Sequence, residues 1–410
     1  MAHPLASAGT IGASLNIRAA MRIALIAGEY PPLQGGLGDY TRRLALALAE
    51  LGHEPHVLTK FVAGAPTIEQ EGGVTVHRLV TAWNWETRRR IEGFNRLFHP
   101  DVLNLQYQAA AYQMHPAINL LPAALAKRTP IVVTFHDLRA PYLFPKAGFL
   151  RWKSIVMMAK GASACITTNV EDRDTLLREG VRDVAMIPIG SNITPVALDG
   201  FDRAAWMRAR DIPDGTVLIG YFGFMNESKG GETLIRALSE LRRRGLNVGL
   251  LHIGGQVGDS DPTNIAYAAR LQRLAVELDV DRQIYLTGFL DERGVSEAFA
   301  ACACVALPYR DGASFRRGTL MAALAHGCPI VTTRPRVALP ELVDELNVLL
   351  TPPDDASALA QAIARVIADD ALRYRLRAGA AALSKRFQWD AIADQAAKLF
   401  ERIANRSPAD

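Results

Sequence analysis

The chain repeats one pattern twice: short runs that are apolar throughout alternate with longer segments of helical periodicity. In the first half these runs begin at 23–27 and end at 184–187, and in the second they begin at 216–223 and end at 329–333. Strands that are apolar on both faces and separated by helices are typical of a parallel sheet covered on each side. We therefore predict an α/β chain with two doubly wound halves that join near 189–213.

The domain boundaries follow from that repetition. Residues 1–20 are small and polar, without the basic and apolar regions of a signal peptide, and are expected to form a flexible extension. Residues 21–193 and 194–388 are predicted to be the two sheet domains. Residues 389–410 contain an amphipathic helix that follows the second sheet and, on its periodicity alone, could pack on either domain.

Composition and charge exclude several kinds of protein. Hydrophobic residues make up 49% of the 410 residues and charged residues 21%, which is typical of a globular chain and excludes long disorder. The net charge of +4 is too small for a nucleic-acid-binding protein but suits anionic ligands. No run reaches the roughly 18 apolar residues of a membrane-spanning helix. The cysteines are too few for a disulfide framework and are expected to be buried thiols in a reducing cytoplasm; they are Cys165, Cys302, Cys304 and Cys328.

Residues that directly follow strands are the candidates for a functional site. Ligands of doubly wound sheets bind at the carboxyl ends of the strands, and the cleft between two such domains is the default site. After the first strand, Gly35 and Gly36 precede a helix whose amides would favour an anionic group, with a plain turn as the alternative. Thr41 stands where the dinucleotide fingerprint needs its third glycine, which disfavours a nicotinamide-binding domain.

His136 is the second candidate in the first half. It follows the strand at 131–135, is next to Asp137, and could donate a hydrogen bond to a sugar hydroxyl or transfer a proton. A histidine that only caps the following loop is the alternative and, taken alone, the simpler interpretation.

Two basic segments follow strands in the second half. Lys229 precedes two glycines at the start of a helix, where its ammonium group and the free amides would together bind phosphate; a solvated surface lysine is the alternative. Arg316 and Arg317 lie between a strand and the helix at 319–325. Adjacent arginines at a strand end are typical of a site for a strong anion such as phosphate, whereas a charged pair on a solvated helix face is the alternative.

Eight short segments, in a specific order over residues 21–403, resemble one large enzyme family. They are Tyr30-Pro31-Pro32 with Gly35-Gly36, residues 51–57, residues 134–137, Ser228-Lys229-Gly230, Gly288-Phe289-Leu290, residues 325–331, Pro340-Glu341 and Phe387-Gln388-Trp389. In this order they are similar to the retaining glycosyltransferases of family four, the glycosyl transferases group 1. The resemblance implies a GT-B fold: two facing Rossmann-like domains with doubly wound parallel sheets, and a C-terminal helix that crosses back to the first. It also implies that the first domain binds the acceptor and the second binds the nucleotide-sugar donor.

The chain departs from this family at three positions. The family has two glutamates separated by seven residues, where this chain has Ser314 and Ala322, so the chain resembles a divergent branch that lacks the paired carboxylates. The family also pairs an arginine with the lysine at the diphosphate, and Phe224 stands at the arginine position. We expect Arg316 or Arg317 to replace that cation, because both follow a strand of the same domain.

The resemblance gives each candidate residue a role. The expected reaction is retaining transfer of a hexosyl group from a nucleotide-diphosphate sugar to an acceptor hydroxyl, in glycan, polysaccharide or glycolipid biosynthesis. The expected roles are catalytic for His136 and Asp311, donor-diphosphate binding for Gly35, Gly36, Lys229, Arg316 and Arg317, and donor sugar or nucleotide binding for Ser314, Gly288, Phe289 and Leu290. Asp311 could replace a sugar-contacting carboxylate. No acidic pair at a strand end indicates a metal site, so we expect a metal-independent enzyme without a cofactor, the nucleotide sugar being its co-substrate.

Two other functions remain open on the sequence. One is a catalytically degenerate glycosyltransferase-like chain that acts as a binding or partner subunit, which the missing glutamates support. The other is a sugar-nucleotide epimerase, which would need cleft carboxylates that the sequence does not reveal. The acceptor (carbohydrate, lipid-linked or small molecule), the donor sugar and base, and the oligomeric state are not predicted.

Residues 149–160 mix basic, aromatic and apolar side chains, as an interfacial helix does. A basic-tipped helix that covers the first sheet is the simpler interpretation. We therefore expect a cytoplasmic protein without a nucleic-acid partner, and peripheral association with the inner membrane stays open.

Overall fold

The computed structural model describes residues 19–33, 35–126, 128–138, 148–255 and 262–406. Nearly all of the expected extension at 1–20 lies outside the described residues. Within them the chain forms two α/β domains, each built on its own sheet.

The first domain contains eight strands and five helices among the described residues. The strands are β1 (Arg22–Ala27), β2 (Glu54–Lys60), β3 (Ile68–Glu71), β4 (Val74–Val80), β5 (Val102–Tyr107), β6 (Ile131–Phe135), β7 (Ala164–Thr167) and β8 (Val184–Met186). The helices are α1 (Gly36–Glu50), α2 (Thr87–Phe98), α3 (Leu121–Leu125), α4 (Gly148–Gly161) and α5 (Val170–Arg178). The strand order is β3-β4-β2-β1-β5-β6-β7-β8, and all neighbours are parallel except the antiparallel pair β3 and β4 at one edge.

The first sheet is covered on both faces. Every residue of β5 and β6 is buried, as expected for central strands between two helical layers. On one face Leu44 and Leu48 of α1 belong to one apolar cluster, and on the other Ile155 and Met158 of α4 belong to a second. Helix α4 therefore covers the sheet, which is the simpler of the two interpretations of residues 149–160. None of the described helices combines the length and apolar character needed to cross a membrane.

The second domain repeats this architecture with six strands and seven helices among the described residues. They follow in the order α6 (Arg203–Arg208), β9 (Val217–Phe222), α7 (Gly231–Arg243), β10 (Val248–Ile253), α8 (Pro262–Glu277), β11 (Ile284–Leu286), α9 (Glu292–Ala301), β12 (Cys304–Leu307), α10 (Gly318–Ala325), β13 (Ile330–Thr333), β14 (Leu349–Thr351), α11 (Ala356–Ala368) and α12 (Asp370–Ser384). The strand order is β11-β10-β9-β12-β13-β14, with all neighbours parallel. All four cysteines of the chain are buried as free thiols, as expected.

The last helix, α13 (Trp389–Ala404), leaves the second domain and packs on the first. Ile392 and Phe400 of α13 belong to the same apolar cluster as Leu44. The guanidinium of Arg402 donates hydrogen bonds to both carboxylate oxygens of Asp183, at 2.7 and 2.9 Å. The predicted fold class is confirmed: two doubly wound parallel-sheet domains with a C-terminal helix that crosses back to the first.

The two chain segments that cross between the domains contact each other. The indole Nε1 of Trp389, at the returning crossing, donates to the carbonyl of Ser191, at the outgoing crossing, over 2.8 Å. A Cβ at Gly190 would lie 2.8 Å from the Trp389 ring, so the close approach requires glycine there.

The hairpin of β3 and β4 is an element that the sequence analysis does not predict. Glu69, Gln70 and Glu71 make β3 polar, so it lacks the apolar run used to recognise strands. Gly72 and Gly73 form the turn with φ values of 54° and 83°, a conformation that favours glycine. An edge position explains why a polar strand is tolerated here.

Candidate active site

A cleft of about 930 Å³ lies between the two domains and is lined by residues that follow the strands of both sheets. From the first domain it receives His136 after β6 and Asp172 near the start of α5. From the second it receives Ser228 after β9 and Arg317 after β12. Residues that follow strands of both sheets therefore meet in a cleft between the two domains, as expected.

His136 is held by the end of β5 and by α1. Its backbone N–H donates to the carbonyl of Tyr107 over 3.0 Å, and its ring packs edge-on against Tyr40 with centroids 4.6 Å apart. The ring Nε2 lies 2.8 Å from Oε1 of Gln106. Burial lowers the pKa of His136 to about 4, so the imidazole is neutral at pH 7 and does not act as a general acid there.

Lys229 lies in the loop that connects β9 to α7. Its Nζ donates to the carbonyl of Phe224 over 2.6 Å. Burial, with a smaller contribution from the charge of Arg317, lowers the pKa of Lys229 to about 8. An anion bound at this ammonium group would relieve the cost of its partial burial. The loop can place it there because Gly230 adopts φ 72° and a Cβ at Gly230 would lie 1.9 Å from the carbonyl oxygen of Pro308.

Arg317 belongs to the same group of side chains as Lys229. Its Nη1 lies 3.3 Å from Oγ of Ser228, and its guanidinium forms an ion pair with Asp311. The guanidinium carbon is 5.0 Å from the centre of the buried Tyr309 ring. Of the two candidate replacements for the cation missing at Phe224, Arg317 is thus the one beside the lysine.

Arg316 extends in a different direction, across the cleft. Its Nη1 is 3.4 Å from Oδ2 of Asp172, and its Nη2 is 3.7 Å from Oε2 of Glu171, both on α5 of the first domain. Burial raises the pKa of Asp172, although the Asn169 amide and the Arg316 charge act against that rise.

The two positions where carboxylates are missing have different surroundings. Ser314 lines the cleft, and its Oγ accepts from the backbone N–H of Arg316 over 3.3 Å. Ala322 is buried in α10 within the core of the second domain. Asp311 also lines the cleft, but its ion pair with Arg317 makes it a partner of a cation rather than a separate carboxylate.

The start of α1 differs from the expectation for Gly35 and Gly36. Gly36 lines the cleft, but a Cβ at Gly35 would lie 2.0 Å from Oε1 of Glu29, so that carboxylate already faces the helix start. Burial raises the pKa of Glu29 and outweighs the lowering by the N–H groups of Gly38 and Leu37. A diphosphate at this helix start would therefore meet a carboxylate that the sequence analysis does not consider.

Residues 288–290 are not among the residues that line this cleft. They follow β11, and Gly288 forms an isolated backbone bridge with Gly254. The side chain of Phe289 is 90% exposed. Of the other candidates in the second domain, Asp311, Ser314, Arg316 and Arg317 line the cleft, and Lys229 lies near Arg317 without lining the cleft.

The carboxylates of α5 in the cleft are a feature that the sequence analysis misses, although it names Asp311 and Asp137. Four line the cleft, three of them from the first domain: Asp137, Glu171, Asp172 and Asp311. Glu171 and Asp172 follow β7 just as His136 follows β6, so the strand-end rule applied to β7 would have found them. Both contact Arg316, and Asp311 pairs with Arg317, so these three act together with cations. In the described parts of the chain, no three His, Cys, Asp or Glu side chains are arranged to hold a metal ion.

Two protein-family models match the chain, one on each domain. The model described as "Glycosyl transferase 4-like domain" matches residues 35–190, and the model described as "Glycosyl transferases group 1" matches residues 216–369.

Similar sequences extend over nearly the whole chain. A D-inositol 3-phosphate glycosyltransferase from Xylanimonas cellulosilytica is 25% identical, over 95% of this chain and 98% of its own. A phosphatidyl-myo-inositol mannosyltransferase from Mycobacterium tuberculosis is 28% identical, over 94% of this chain and 97% of its own.

Solved structures share the fold. A glycosyltransferase from Rickettsia africae superposes with a TM-score of 0.74 at 17% identity, over 95% of this chain and 100% of its own. HepE of Anabaena in complex with UDP superposes with a TM-score of 0.70 at 20% identity, over 93% of this chain and 100% of its own. The facing-domain arrangement expected from the sequence is therefore one found in glycosyltransferase structures.

Proposed function

The chain belongs to the family of glycosyl transferases group 1, and we propose that it transfers a hexosyl group from a nucleotide-diphosphate sugar to an acceptor hydroxyl with retention of configuration. One observation supports this most strongly. His136 of the first domain and Ser228 and Arg317 of the second line the same cleft, and Arg317 is close enough to Lys229 for its charge to lower the pKa of that lysine. A sugar held against His136 would have its diphosphate directed at these cations.

Neutralising the leaving diphosphate is the role of the second domain in this proposal. Lys229 has a pKa of about 8, so it is mostly charged at pH 7, and Nζ now donates to a backbone carbonyl. Arg317 adds a planar guanidinium suited to two phosphate oxygens. Preformed cations in a cleft stabilise the charge that develops on the leaving group. We propose on this basis that the reaction needs no metal ion.

The chemical step can be written with all atoms accounted for. The bond between the anomeric carbon and the β-phosphate oxygen breaks, and the acceptor oxygen bonds to the same face of that carbon. The acceptor's proton moves to the departing phosphate, because neutral His136 with a pKa of about 4 is too weak a base for this step and Asp311 is paired with Arg317. In this scheme His136 orients the sugar, and Asp311 orients Arg317.

The acceptor is proposed only by class. The names of the similar proteins from Xylanimonas cellulosilytica and Mycobacterium tuberculosis both specify inositol-containing acceptors. We propose an acceptor from glycolipid, glycan or polysaccharide biosynthesis, with the first domain contributing its binding surface.

One observation favours a second candidate, a glycosyltransferase-like subunit that binds without catalysing. Ser314 lines the cleft at a position where the resembled family has a carboxylate. Such a subunit would bind a nucleotide sugar and leave it intact.

A thermal-shift screen with UDP-, GDP-, ADP- and dTDP-sugars, followed by an assay for nucleotide release, tests the proposal. At least one donor should raise the melting temperature, since a ligand that binds only the folded state stabilises it. Lys229→Ala should abolish the shift, whereas Arg293→Ala, which removes an exposed α9 side chain paired with Glu297, should not. Absence of any shift would reject the transferase, and a shift without nucleotide release in the presence of sugar and polyol acceptors would favour the binding subunit.

A further inference from the structure

A row of buried polar side chains leads through the first sheet to His136. Asn104 and Gln106 on β5 and Thr134 on β6 are all fully buried. The strands pair Asn104 with Val132 and Gln106 with Thr134, so these alternate residues lie on the same sheet face as His136. Polar groups are costly in such a core unless each finds a hydrogen-bond partner, so their bonds define the orientation of each amide.

The direction of the hydrogen bonds is set by one backbone carbonyl. Nδ2 of Asn104 lies 3.1 Å from the carbonyl oxygen of Val132, which can only accept, and 2.9 Å from Oγ1 of Thr134. The remaining Oδ1 of Asn104 must therefore accept, and it does so from Nε2 of Gln106. That leaves Oε1 of Gln106 to face His136.

The same logic assigns the proton on His136. Oε1 of Gln106 has no hydrogen, and it lies 2.8 Å from Nε2 of His136. The imidazole must supply the hydrogen of this bond, so Nε2 carries it. If the Gln106 amide were reversed, its NH2 could still donate to the imidazole, but its oxygen would face Oδ1 of Asn104, and the bond between the two amides would be lost.

We propose that Gln106, oriented by Asn104, is a positioning residue that holds His136 as its Nε2–H tautomer, so that Nδ1 presents a lone pair to the cleft and accepts a hydrogen bond from a sugar hydroxyl. Within the described residues Nε2 is the ring nitrogen of His136 that has a hydrogen-bond partner, and His136 itself lines the cleft. The identity of the partner at Nδ1 rests on the proposed function, whereas the tautomer does not. The expectation that His136 donates to a sugar hydroxyl is thereby replaced by acceptance.

Burial gives this tautomer its persistence. The low pKa of His136, about 4, keeps the ring uncharged over the pH range in which most enzymes act. Only the uncharged ring has a free nitrogen lone pair, so acceptance at Nδ1 depends on it. Tyr40, which packs edge-on against the ring, restricts its rotation.

Long-range 1H–15N spectra of protein labelled at histidine ring nitrogens test the inference without any ligand. Such spectra report which ring nitrogen carries the proton, and the His136 signals are those lost in His136→Gln. The wild-type protein should have Nε2–H at pH 7. Gln106→Leu and Asn104→Leu should shift both ring nitrogen signals toward the average of the two tautomers. Asn119→Leu should leave them unchanged, because Asn119 is a buried amide of the same domain that bonds to Ser154 and Tyr107 instead.

Several outcomes would overturn the inference. A wild-type ring with the proton on Nδ1, or a charged ring at pH 7, would do so at once, and this spectrum decides even if the variants fail to fold. Folded Gln106→Leu protein with unchanged ring signals would remove Gln106 from its positioning role. Failure of the proposed transferase would instead be read from the donor screen, so the two results are separate.

Discussion

Arg316 of the second domain and Asp172 of the first form an ion pair across the cleft, with Nη1 3.4 Å from Oδ2. Arg317, the next residue, turns instead to Ser228 and Asp311 of its own domain. Two adjacent residues of the same type therefore make different connections: one joins the two domains, and the other belongs to the cations expected at the diphosphate.

The two arginines should have separable effects on donor binding. Arg317→Ala should weaken binding of the most stabilising nucleotide sugar about 10- to 100-fold, the usual contribution of a hydrogen bond to a charged group. Arg316→Ala should weaken it less, and by the same factor as Asp172→Asn. Isothermal titration calorimetry on the three variants measures these factors. If the losses of Arg316→Ala and Asp172→Asn simply add in the double variant, the ion pair is not the cause.

Donor affinity should fall as the pH rises above about 8. In the free protein Lys229 loses its proton near that pH, whereas a bound diphosphate raises its pKa. Below pH 8 both states are protonated and affinity is flat; above it, binding must take up a proton, so the dissociation constant should rise up to about tenfold per pH unit. Titrations at pH 7, 8 and 9 measure this dependence. A wild-type slope no steeper than that of Lys229→Met would contradict the role of Lys229.

Removing the Glu29 carboxylate should strengthen donor binding at neutral pH. Glu29 faces the first turn of α1, where an ionised carboxylate repels a diphosphate near Gly36. Glu29→Gln should therefore lower the dissociation constant, by up to about tenfold. Because the pKa of Glu29 is raised, this advantage should shrink as the pH falls through that pKa and the wild-type carboxyl becomes neutral. Weaker binding by the variant at pH 7 would mean that Glu29 supports the site.

Gly230 should tolerate substitution less well than another glycine of similar backbone conformation. Gly230 has φ 72° and its Cβ would meet the carbonyl oxygen of Pro308 at 1.9 Å, whereas Gly245 has φ 82° and open space. Gly245→Ala should cost about 1–2 kcal/mol of unfolding free energy for the left-handed backbone alone. Gly230→Ala should cost clearly more, because the loop must also move from Pro308. Urea denaturation compares them, and equal losses would show that the loop adapts freely.

The sheets could be predicted because their central strands are buried on both faces. β5 and β6 read as unbroken apolar runs apart from Asn104, Gln106 and Thr134, and those exceptions belong to the buried row behind His136. The polar edge strand β3 could not be recognised by the same rule. Its place depends on pairing with β4, a contact that no local pattern encodes.

The sequence predicted the positions of several site residues, but it wrongly included residues 288–290 and could not predict the directions in which the side chains extend. Strand-end placement found His136, Lys229 and Arg317. It could not separate Arg316 from Arg317, because their partners depend on how the two domains face each other. Glu29 was missed for a related reason: it contacts Gly35 only after the loop between them folds back on itself.

The path of the chain makes the second domain an insertion within the first. The chain leaves the first domain after β8 and returns to it at α13, and these two connections meet where Trp389 donates to the carbonyl of Ser191. Two adjacent chain connections form a hinge, which allows the domains to rotate relative to each other but keeps them together at this point. Arg316 and Asp172 form an ion pair between the two domains across the cleft. A rotation that widened the cleft at this ion pair would separate Arg316 from Asp172 and leave the contact between Trp389 and Ser191 in place.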